Sequence, residues 1–138
     1  MKASFITPIV ALCLGFASSL AAEESLVFEL ESLKFVHTLE LLIDGEKVSG
    51  SLNSTEYGDG ENETVTFEGK KDGALLVVKF DRRPPLISIT KPDADGRHVL
   101  KLGKEDGKDA LFIPIYGRYD EETKNHPIYE MPLYQIEE

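Results

Sequence analysis

The side chains of this sequence that could do chemistry are few and scattered. Its histidines do not form a local metal-binding box, and they are His37, His98 and His126. Alternation of polar and apolar residues places His98 inward beside Leu100, where a buried imidazole needs a hydrogen-bond partner. His98 is therefore a candidate ligand-binding residue, and a core or rim histidine with a satisfied ring is the alternative.

Arg82 and Arg83 form a compact basic pair directly before Pro84 and Pro85. Two guanidinium groups at the end of a strand can hold an anionic group through paired hydrogen bonds. The alternative is a solvated turn in which both arginines pair with some of the many carboxylates of this chain. Both arginines are candidates for contact with a ligand or partner.

Tyrosines are concentrated toward the C-terminal end, where Tyr116, Tyr119 and Tyr129 are interspersed with acidic residues. Aromatic side chains in polar surroundings are typical of protein interfaces, although the same residues also fill protein cores. These three tyrosines are the predicted contacts to a partner, and packing within the domain is the alternative.

Two acidic turns offer the oxygen ligands that calcium prefers, Asp59 with Glu61 and Asp93 with Asp95. Neither completes a known calcium-binding loop, and the second turn lacks the distal glutamate of an EF-hand. Aspartate followed by glycine is also what an ordinary β-turn requires. The sequence therefore predicts no metal site and no cofactor, and these four residues are incomplete calcium candidates.

Hydrolytic catalysis has little support in the residue types of this chain. The sequence contains no Gly-x-Ser-x-Gly elbow and no spacing that suggests a triad of serine, histidine and aspartate. Carboxylates are numerous, so a two-carboxylate mechanism is not excluded by residue count. We expect that the protein is not an enzyme. The reserve hypothesis is a small hydrolase in which two inward carboxylates converge on His98.

Short segments of alternating polar and apolar residues, separated by glycine-containing turns about every 8–12 residues, predict an antiparallel β-meander. The dipeptides Asp44-Gly45, Asp72-Gly73 and Asp106-Gly107 indicate hairpins, since glycine accepts a positive φ without steric cost. The predicted strands cover residues 38–44, 47–53, 64–68, 74–81, 86–90, 97–102 and 110–116.

Both ends of the predicted domain are less regular. Residues 24–33 fit either a strand with a bulge near Ser32 or a short amphipathic helix, and the strand is favoured. Pro114 predicts an edge or a bulge in its strand. About the last 20 residues, with Pro127 and Pro132, fit an extended or irregular tail whose apolar side chains pack on the domain.

Seven or eight strands in sequential hairpins predict an all-β domain, closed as a small barrel or folded as a two-layer sandwich. In architecture this meander resembles lipocalin-like or avidin-like secreted barrels. Lipocalins carry a Gly-x-Trp signature and avidins line their pocket with tryptophan, whereas this sequence has no tryptophan. The resemblance therefore concerns architecture alone and carries over no ligand.

Residues 1–21 have the pattern of a cleavable signal peptide. Lys2 is followed by an apolar run over residues 5–16 and by small residues that end at Ala21. The apolar run is shorter than the roughly 20 residues of a membrane-spanning helix. Cleavage after Ala21 leaves residues 22–138 as a single secreted or periplasmic β domain without a membrane anchor.

Removal of the signal peptide changes the composition of the remaining domain. It removes one lysine and the only cysteine, which leaves 14 basic and 25 acidic residues, so the net charge changes from −10 to −11. Such a charge disfavours nucleic-acid backbones and anionic membranes, and no disulfide can form. In a eukaryotic source, the sequons that begin at Asn53 and Asn62 would accept N-linked glycans.

Together these features predict a secreted, non-catalytic binding module that engages a basic protein partner through an acidic, tyrosine-bearing surface. The alternative is a β-barrel carrier that holds a small apolar ligand in an interior cavity. The side chains that would line this cavity are Phe67, Leu76, Val78, Phe80 and Leu100.

The mature protein is expected to begin at Ala22, because signal cleavage requires small residues at the positions that Ser19 and Ala21 occupy. Intact mass spectrometry of the protein recovered outside the cytoplasm measures this N-terminus directly. A recovered protein that still carries Cys13 would contradict the predicted cleavage site.

Overall fold

The structure is a computed structural model that describes residues 23–58, 60–86 and 88–136, and these residues form eight β-strands. The predicted signal peptide, residues 1–21, lies outside them. The described part of the chain contains no helix with the length and hydropathy of a membrane span. In chain order the strands are β1 Glu23–Glu31, β2 Phe35–Asp44, β3 Lys47–Glu56, β4 Asn62–Asp72, β5 Leu75–Phe80, β6 His98–Glu105, β7 Lys108–Tyr116 and β8 Ile128–Ile136.

Each strand pairs antiparallel with the next strand in the chain, and β8 pairs with β1, so that the sheet closes into a barrel. The longest ladder joins β2 to β3 through ten residue pairs, and the ladders of β1 with β2 and of β3 with β4 contain nine pairs each. The all-β meander is confirmed, and of the two predicted architectures the structure is the small barrel. The ladder that closes the barrel is short and consists of the pairs Tyr134 with Glu29, Gln135 with Phe28, and Ile136 with Val27.

Three tight hairpins lie at one end of the barrel, which we call the turn end. Gly45, Gly73 and Gly107 lie in these turns with φ values of 63°, 61° and 79°. In the first two hairpins the preceding aspartate still pairs in the ladder, and glycine is the first residue of the turn. In the third, Asp106 also has a positive φ of 52°, as the right-handed strand twist favours. The three predicted Asp-Gly hairpins are confirmed.

The opposite end of the barrel carries longer connections, of which the longest joins β5 to β6. This connection, residues 81–97, is called the strap below. The prediction of a strand over residues 86–90 is wrong, because the amide of Ile89 donates to the carbonyl of Leu86 in a tight turn. Ile87, part of that predicted strand, lies outside the described residues. The three prolines that flank the segment lack the amide donors that a central strand requires.

Both ends of the described chain are strands. Residues 23–31 form β1, which confirms the strand over the helix. A turn at residues 32–34 then reverses the chain into β2, so the predicted bulge near Ser32 is wrong. Of the extended or irregular tail predicted for about the last 20 residues, residues 128–136 are extended and form the strand that closes the barrel, with Leu133 buried in the core.

Pro114 and Pro132 fit within strands because, at each of these positions, only one of the two neighbouring strands pairs with the strand that contains the proline. The ladder from β6 reaches β7 only as far as Phe112, and the ladder from β1 reaches β8 only from Tyr134 onward. The carbonyl of Pro114 accepts a hydrogen bond from the strap amide of Thr90 on this side, and the proline nitrogen faces the same way. Because β7 lies between β6 and β8 in the closed barrel and its register with β8 is continuous at Pro114, the predicted edge strand or bulge is wrong.

The barrel interior holds one cluster of buried apolar side chains that alternate with outward residues along the strands. The side chains that the carrier hypothesis assigned to an interior cavity all belong to this cluster and are at most 8% exposed. They are Phe67, Leu76, Val78, Phe80 and Leu100. Each of them therefore packs within the core.

Gly69 in β4 allows a close approach of β5. A methyl group at this position would overlap the carbonyl oxygen of Val77 and lie 2.7 Å from Cα of Val78. Because backbone atoms cannot yield as a flexible side chain does, we expect Gly69→Ala to lower the free energy of unfolding by about 3 kcal/mol. The exposed neighbour substitution Lys70→Ala is expected to change it by less than about 0.5 kcal/mol. Urea unfolding followed by circular dichroism measures both, and equal effects would show that Gly69 is not required.

Candidate functional site

The strap lies across the end of the barrel and contributes to its core. Leu86 and Ile89 are buried and belong to the central hydrophobic cluster. The backbone of the strap also extends the sheet, since the amide of Thr90 donates to the carbonyl of Pro114 and Ile89 forms an isolated bridge with Ile115. The strap therefore continues the pairing of β7 beyond the point where β6 pairs with it.

A buried pair on β2 and β3 holds one side of the strap. His37 Nδ1 is within hydrogen-bond distance of Ser54 Oγ, and Ser54 Oγ donates to the carbonyl oxygen of Pro85 over 3.0 Å. Since the single hydroxyl proton of Ser54 is used on Pro85, the His37 ring donates to Ser54 through Nδ1–H. In this arrangement the histidine is not a base toward the serine, and the pair fixes the position of the strap.

His98, the first residue of β6, holds the other side of the strap. Its side chain is inward, as the sequence predicted, and it is 7% exposed. Its Nε2 lies 3.0 Å from the carbonyl oxygen of Thr90, and its ring packs edge-on against Phe80 at 5.4 Å between centroids. A carbonyl oxygen only accepts, so Nε2 carries the proton. Among the described residues, no hydrogen-bond partner meets the buried Nδ1.

Burial lowers the pKa of both His37 and His98 below the usual value of 6.5. For His98, the hydrogen bond to Thr90 and the nearby carboxylate of Asp93 act in the opposite direction, but burial is the larger cause. Both rings are therefore neutral at neutral pH, and each donates its single proton toward the strap side of the barrel.

A cleft of about 460 Å³ lies between the strap and the ends of β5, β6 and β7, and we call it the strap cleft. The strands contribute Phe80, His98 and Tyr116. The strap contributes apolar groups, including Ile89 and two prolines, and three cations, which are Arg82, Arg83 and Lys91. None of the described residues that line this cleft is acidic, although the chain contains 25 aspartates and glutamates.

The three cations of the strap cleft differ in their contacts. The Arg82 guanidinium donates to the carbonyl oxygen of Thr64 and lies 3.9 Å from the carboxylate of Glu63, so it is held against β4. Within the described part of the chain, the side chains of Arg83 and Lys91 form no ion pair. These two charges are therefore the ones that a bound anion would meet unpaired.

Four of the six predicted contact residues meet in the strap cleft, and they are Arg82, Arg83, His98 and Tyr116. Lys91 was not among the predicted contact residues, because a strand was predicted over residues 86–90, where the chain forms the strap. Prolines on both sides of a short apolar segment are the signal that indicates a loop packed over the barrel. The hydrolase hypothesis required two carboxylates beside His98, and the described lining of this cleft includes none.

Tyr119, another predicted contact, lies in the connection between β7 and β8, and Tyr129, the last of the six, is the second residue of β8 and pairs with Ile115. We call residues 117–130, which are this connection and the first three residues of β8, the aromatic loop. The connection is fixed by hydrogen bonds from the amide of Gly117 to the carbonyl of Pro127 and from the amide of Asp120 to the carbonyl of Asn125. The aromatic loop is therefore ordered and continues into the sheet.

The rings of the aromatic loop pack on one another and on the backbone. The ring of Tyr119 meets that of His126 edge-on at 5.4 Å between centroids, and Tyr116 lies on the same histidine at 6.3 Å. Tyr129 covers Gly117, where a methyl group would overlap its ring. These contacts connect the aromatic loop to the strap cleft through Tyr116.

Two of the incomplete calcium candidates, Asp93 and Asp95, lie in the turn before β6. One carboxylate oxygen of Asp93 accepts hydrogen bonds from the amides of Arg97 and Asp95, and the bond from Arg97 is the main cause of a lowered pKa of Asp93. Asp59 lies outside the described residues, and Glu61 is the last residue of the connection before β4. No group of three potential metal ligands occurs within the described ranges.

The two predicted glycosylation sequons lie side by side on paired strands, although the sequence placed them near a loop. In the ladder between β3 and β4, Asn53 pairs with Thr64 and Thr55 pairs with Asn62. The side-chain amide of Asn53 donates to both Asn62 and Thr64. In the folded barrel these amides therefore belong to one surface hydrogen-bond network.

In comparisons with known proteins, the chain matched no protein-family model, no curated protein and no solved structure. The proposals below therefore rest on the contacts, charges and burial of the described residues.

The lowered pKa values of His37 and His98 predict that the barrel loses stability in mild acid. Near the usual pKa of 6.5 the unfolded chain binds more protons than the folded one, so the free energy of unfolding falls as the pH decreases from about 7 to about 5.5. The lowered pKa of Asp93 acts below its usual value of 3.8, outside this window. Chemical unfolding at several pH values measures the slope. We expect His98→Gln to reduce it and the exposed His126→Gln to retain it, and the reverse order would contradict this explanation.

Proposed function

We propose that this protein is a non-catalytic binding module that acts outside the cytoplasm and engages a basic protein partner through the aromatic loop. The observation that carries this proposal is the exposure of Tyr119, Ile128 and Tyr129, which are 54%, 62% and 57% exposed within this one loop. Large aromatic and aliphatic side chains of this kind are the usual energetic centres of a protein interface.

The ordered backbone of the aromatic loop supports this role. The amide of Lys124 donates to the carbonyl of Asp120, and the Asp120 carboxylate accepts from the amide of Glu122, so the tip of the loop is fixed by its own hydrogen bonds. A surface that is ordered before binding loses less conformational entropy when it meets a partner. The exposed rings are therefore already presented in a defined arrangement.

The charge around these rings favours a basic partner. The chain as a whole has a net charge of −10, which attracts positively charged surfaces and repels acidic ones. The aromatic loop itself contains more acids than bases: the acids are Asp120, Glu121, Glu122 and Glu130, and the bases are Arg118 and Lys124. Carboxylates at the rim of an interface increase the association rate and the selectivity for a basic partner.

A location outside the cytoplasm is supported by the signal-peptide pattern of residues 1–21. The sequence after Cys13 contains no cysteine, so the barrel has no thiol that an oxidising compartment would modify. Closure of the sheet also leaves few unpaired strand edges for association with other chains. These features are compatible with a protein that persists outside cells or in a periplasm.

The aromatic loop is tested by replacing its two exposed tyrosines together, as Tyr119→Ala with Tyr129→Ala. Wild type and variant are immobilised and exposed to native extracellular material at low salt, and the recovered proteins are identified by mass spectrometry. We expect a basic protein whose Kd, measured afterwards by biolayer interferometry, increases at least about tenfold for the double variant.

The matched control is Tyr57→Ala, because Tyr57 is also exposed but lies in the connection between β3 and β4 and contacts Glu31. This variant is expected to bind like the wild type. Equal recovery of every protein by wild type and double variant, or a specific partner that is acidic, would contradict the proposed function.

A further inference from the structure

We propose that the strap cleft binds a small organic carboxylate that carries an apolar body. This site lies apart from the exposed rings of the aromatic loop and goes beyond the proposed engagement of a protein partner. The inference rests on the distribution of charge in the cleft, on the apolar character of its walls and on the hydroxyl donor that Tyr116 leaves free.

The charge of the strap cleft is opposite to that of the protein. Arg82, Arg83 and Lys91 lie within one cleft whose described lining contains no carboxylate, while the chain has 25 acidic and 15 basic residues. Arg82 is paired with Glu63, but Arg83 and Lys91 have no ion-pair partner among the described residues, and their positive charges repel one another. A bound anion relieves this repulsion, and Arg83 can hold a carboxylate through two parallel hydrogen bonds.

The walls of the cleft favour an apolar body on this anion. Phe80 and Ile89 are buried core residues that also line the cleft, and the strap adds prolines at positions 84 and 92. A volume of about 460 Å³ is within the range of pockets that take small organic ligands. Inorganic phosphate would use the cations but leave the apolar walls in contact with water.

One polar group in the cleft keeps a free donor. The hydroxyl oxygen of Tyr116 accepts from the amide of Lys91 over 3.3 Å, so its own proton remains available to a carboxylate. His98 also lines the cleft, but its ring proton is used on the carbonyl oxygen of Thr90 and its buried Nδ1 is an acceptor, so this ring offers no donor to a carboxylate.

The overall charge restricts the ligand to a small anion. A polyanion such as a nucleic acid would meet the acidic surface around the cleft and be repelled by it. A monocarboxylate carries a single charge into the cleft and directs its body to the apolar wall. Size, charge and polarity therefore agree on one chemical class.

The test is an NMR titration of protein purified after expression of the full chain, with phenylacetate as the probe. We expect saturable shifts of amides in the strap and at Phe80, His98 and Tyr116. The neutral analogue 2-phenylethanol, which has the same body, and inorganic phosphate, which has the charge alone, are each expected to bind at least about tenfold more weakly.

Two variants separate the cleft from the general charge of the protein. Arg83→Gln is expected to weaken phenylacetate binding about tenfold, and added salt is expected to act in the same direction. Arg97→Gln removes an equal charge from the same strap, but Arg97 is outside the cleft and pairs with Asp95 at 3.4 Å, so this variant is expected to bind like the wild type. Both substitutions lie on exposed side chains, and a retained amide spectrum shows that the barrel is intact.

Four results would overturn the proposal. They are the absence of saturable shifts up to about 10 mM phenylacetate, equal binding of 2-phenylethanol, equal binding of phosphate, and equal losses for the two arginine variants. The first result would show that the cleft does not bind phenylacetate, and the second that the carboxylate is not recognised. The third would show that the apolar body does not contribute to binding, and the fourth that binding follows from the overall charge of the protein.

Discussion

Two neutral imidazoles hold the strap across the end of the barrel, and the candidate site depends on this arrangement. His37 acts through Ser54 on the carbonyl of Pro85, while His98 acts directly on the carbonyl of Thr90. Both of these hydrogen-bonded connections end on a backbone carbonyl of the strap. Because the strap is held on both sides, its cations remain in fixed positions beside the ends of β5, β6 and β7. Without these hydrogen bonds, Arg83 would lie on a loose loop and the cleft would have no defined shape.

The same constraint explains how an acidic protein maintains a basic cleft. The carboxylates lie mainly on the outward positions of strands and in exposed loops, whereas the cations of the strap are held at one end of the barrel. Arg82 is directed toward β4 by Glu63 and the carbonyl of Thr64, which leaves Arg83 as the arginine of the cleft that forms no ion pair among the described residues. The barrel therefore separates two surfaces of different chemistry, an acidic aromatic loop and a cationic cleft, and Tyr116 lies between them.

Much of the barrel could be predicted from sequence because local rules determine it. Aspartate and glycine at the hairpins fix the chain reversals, and alternation then determines which residues point inward, His98 among them. The strap and β8 could not be predicted in this way. Considered alone, Pro132 indicates the end of a strand. Only the position of β1 shows that the nitrogen of Pro132 faces no partner strand. Likewise, residues 86–90 alternate as a strand does, but their flanking prolines and the edge of β7 decide their conformation. The sequence indicates Arg82, Arg83, His98 and Tyr116 only as separate candidates. They come together only when the sheet closes into a barrel.

The short ladder that closes the barrel also determines which end of the barrel carries the two ends of the described chain. Because β1 begins and β8 ends beside the tight hairpins, Glu23 and Ile136 both lie at the turn end. The strap cleft and the aromatic loop are at the other end. A surface linkage made through side chains at the turn end would therefore leave the strap cleft and the aromatic loop facing away from that surface.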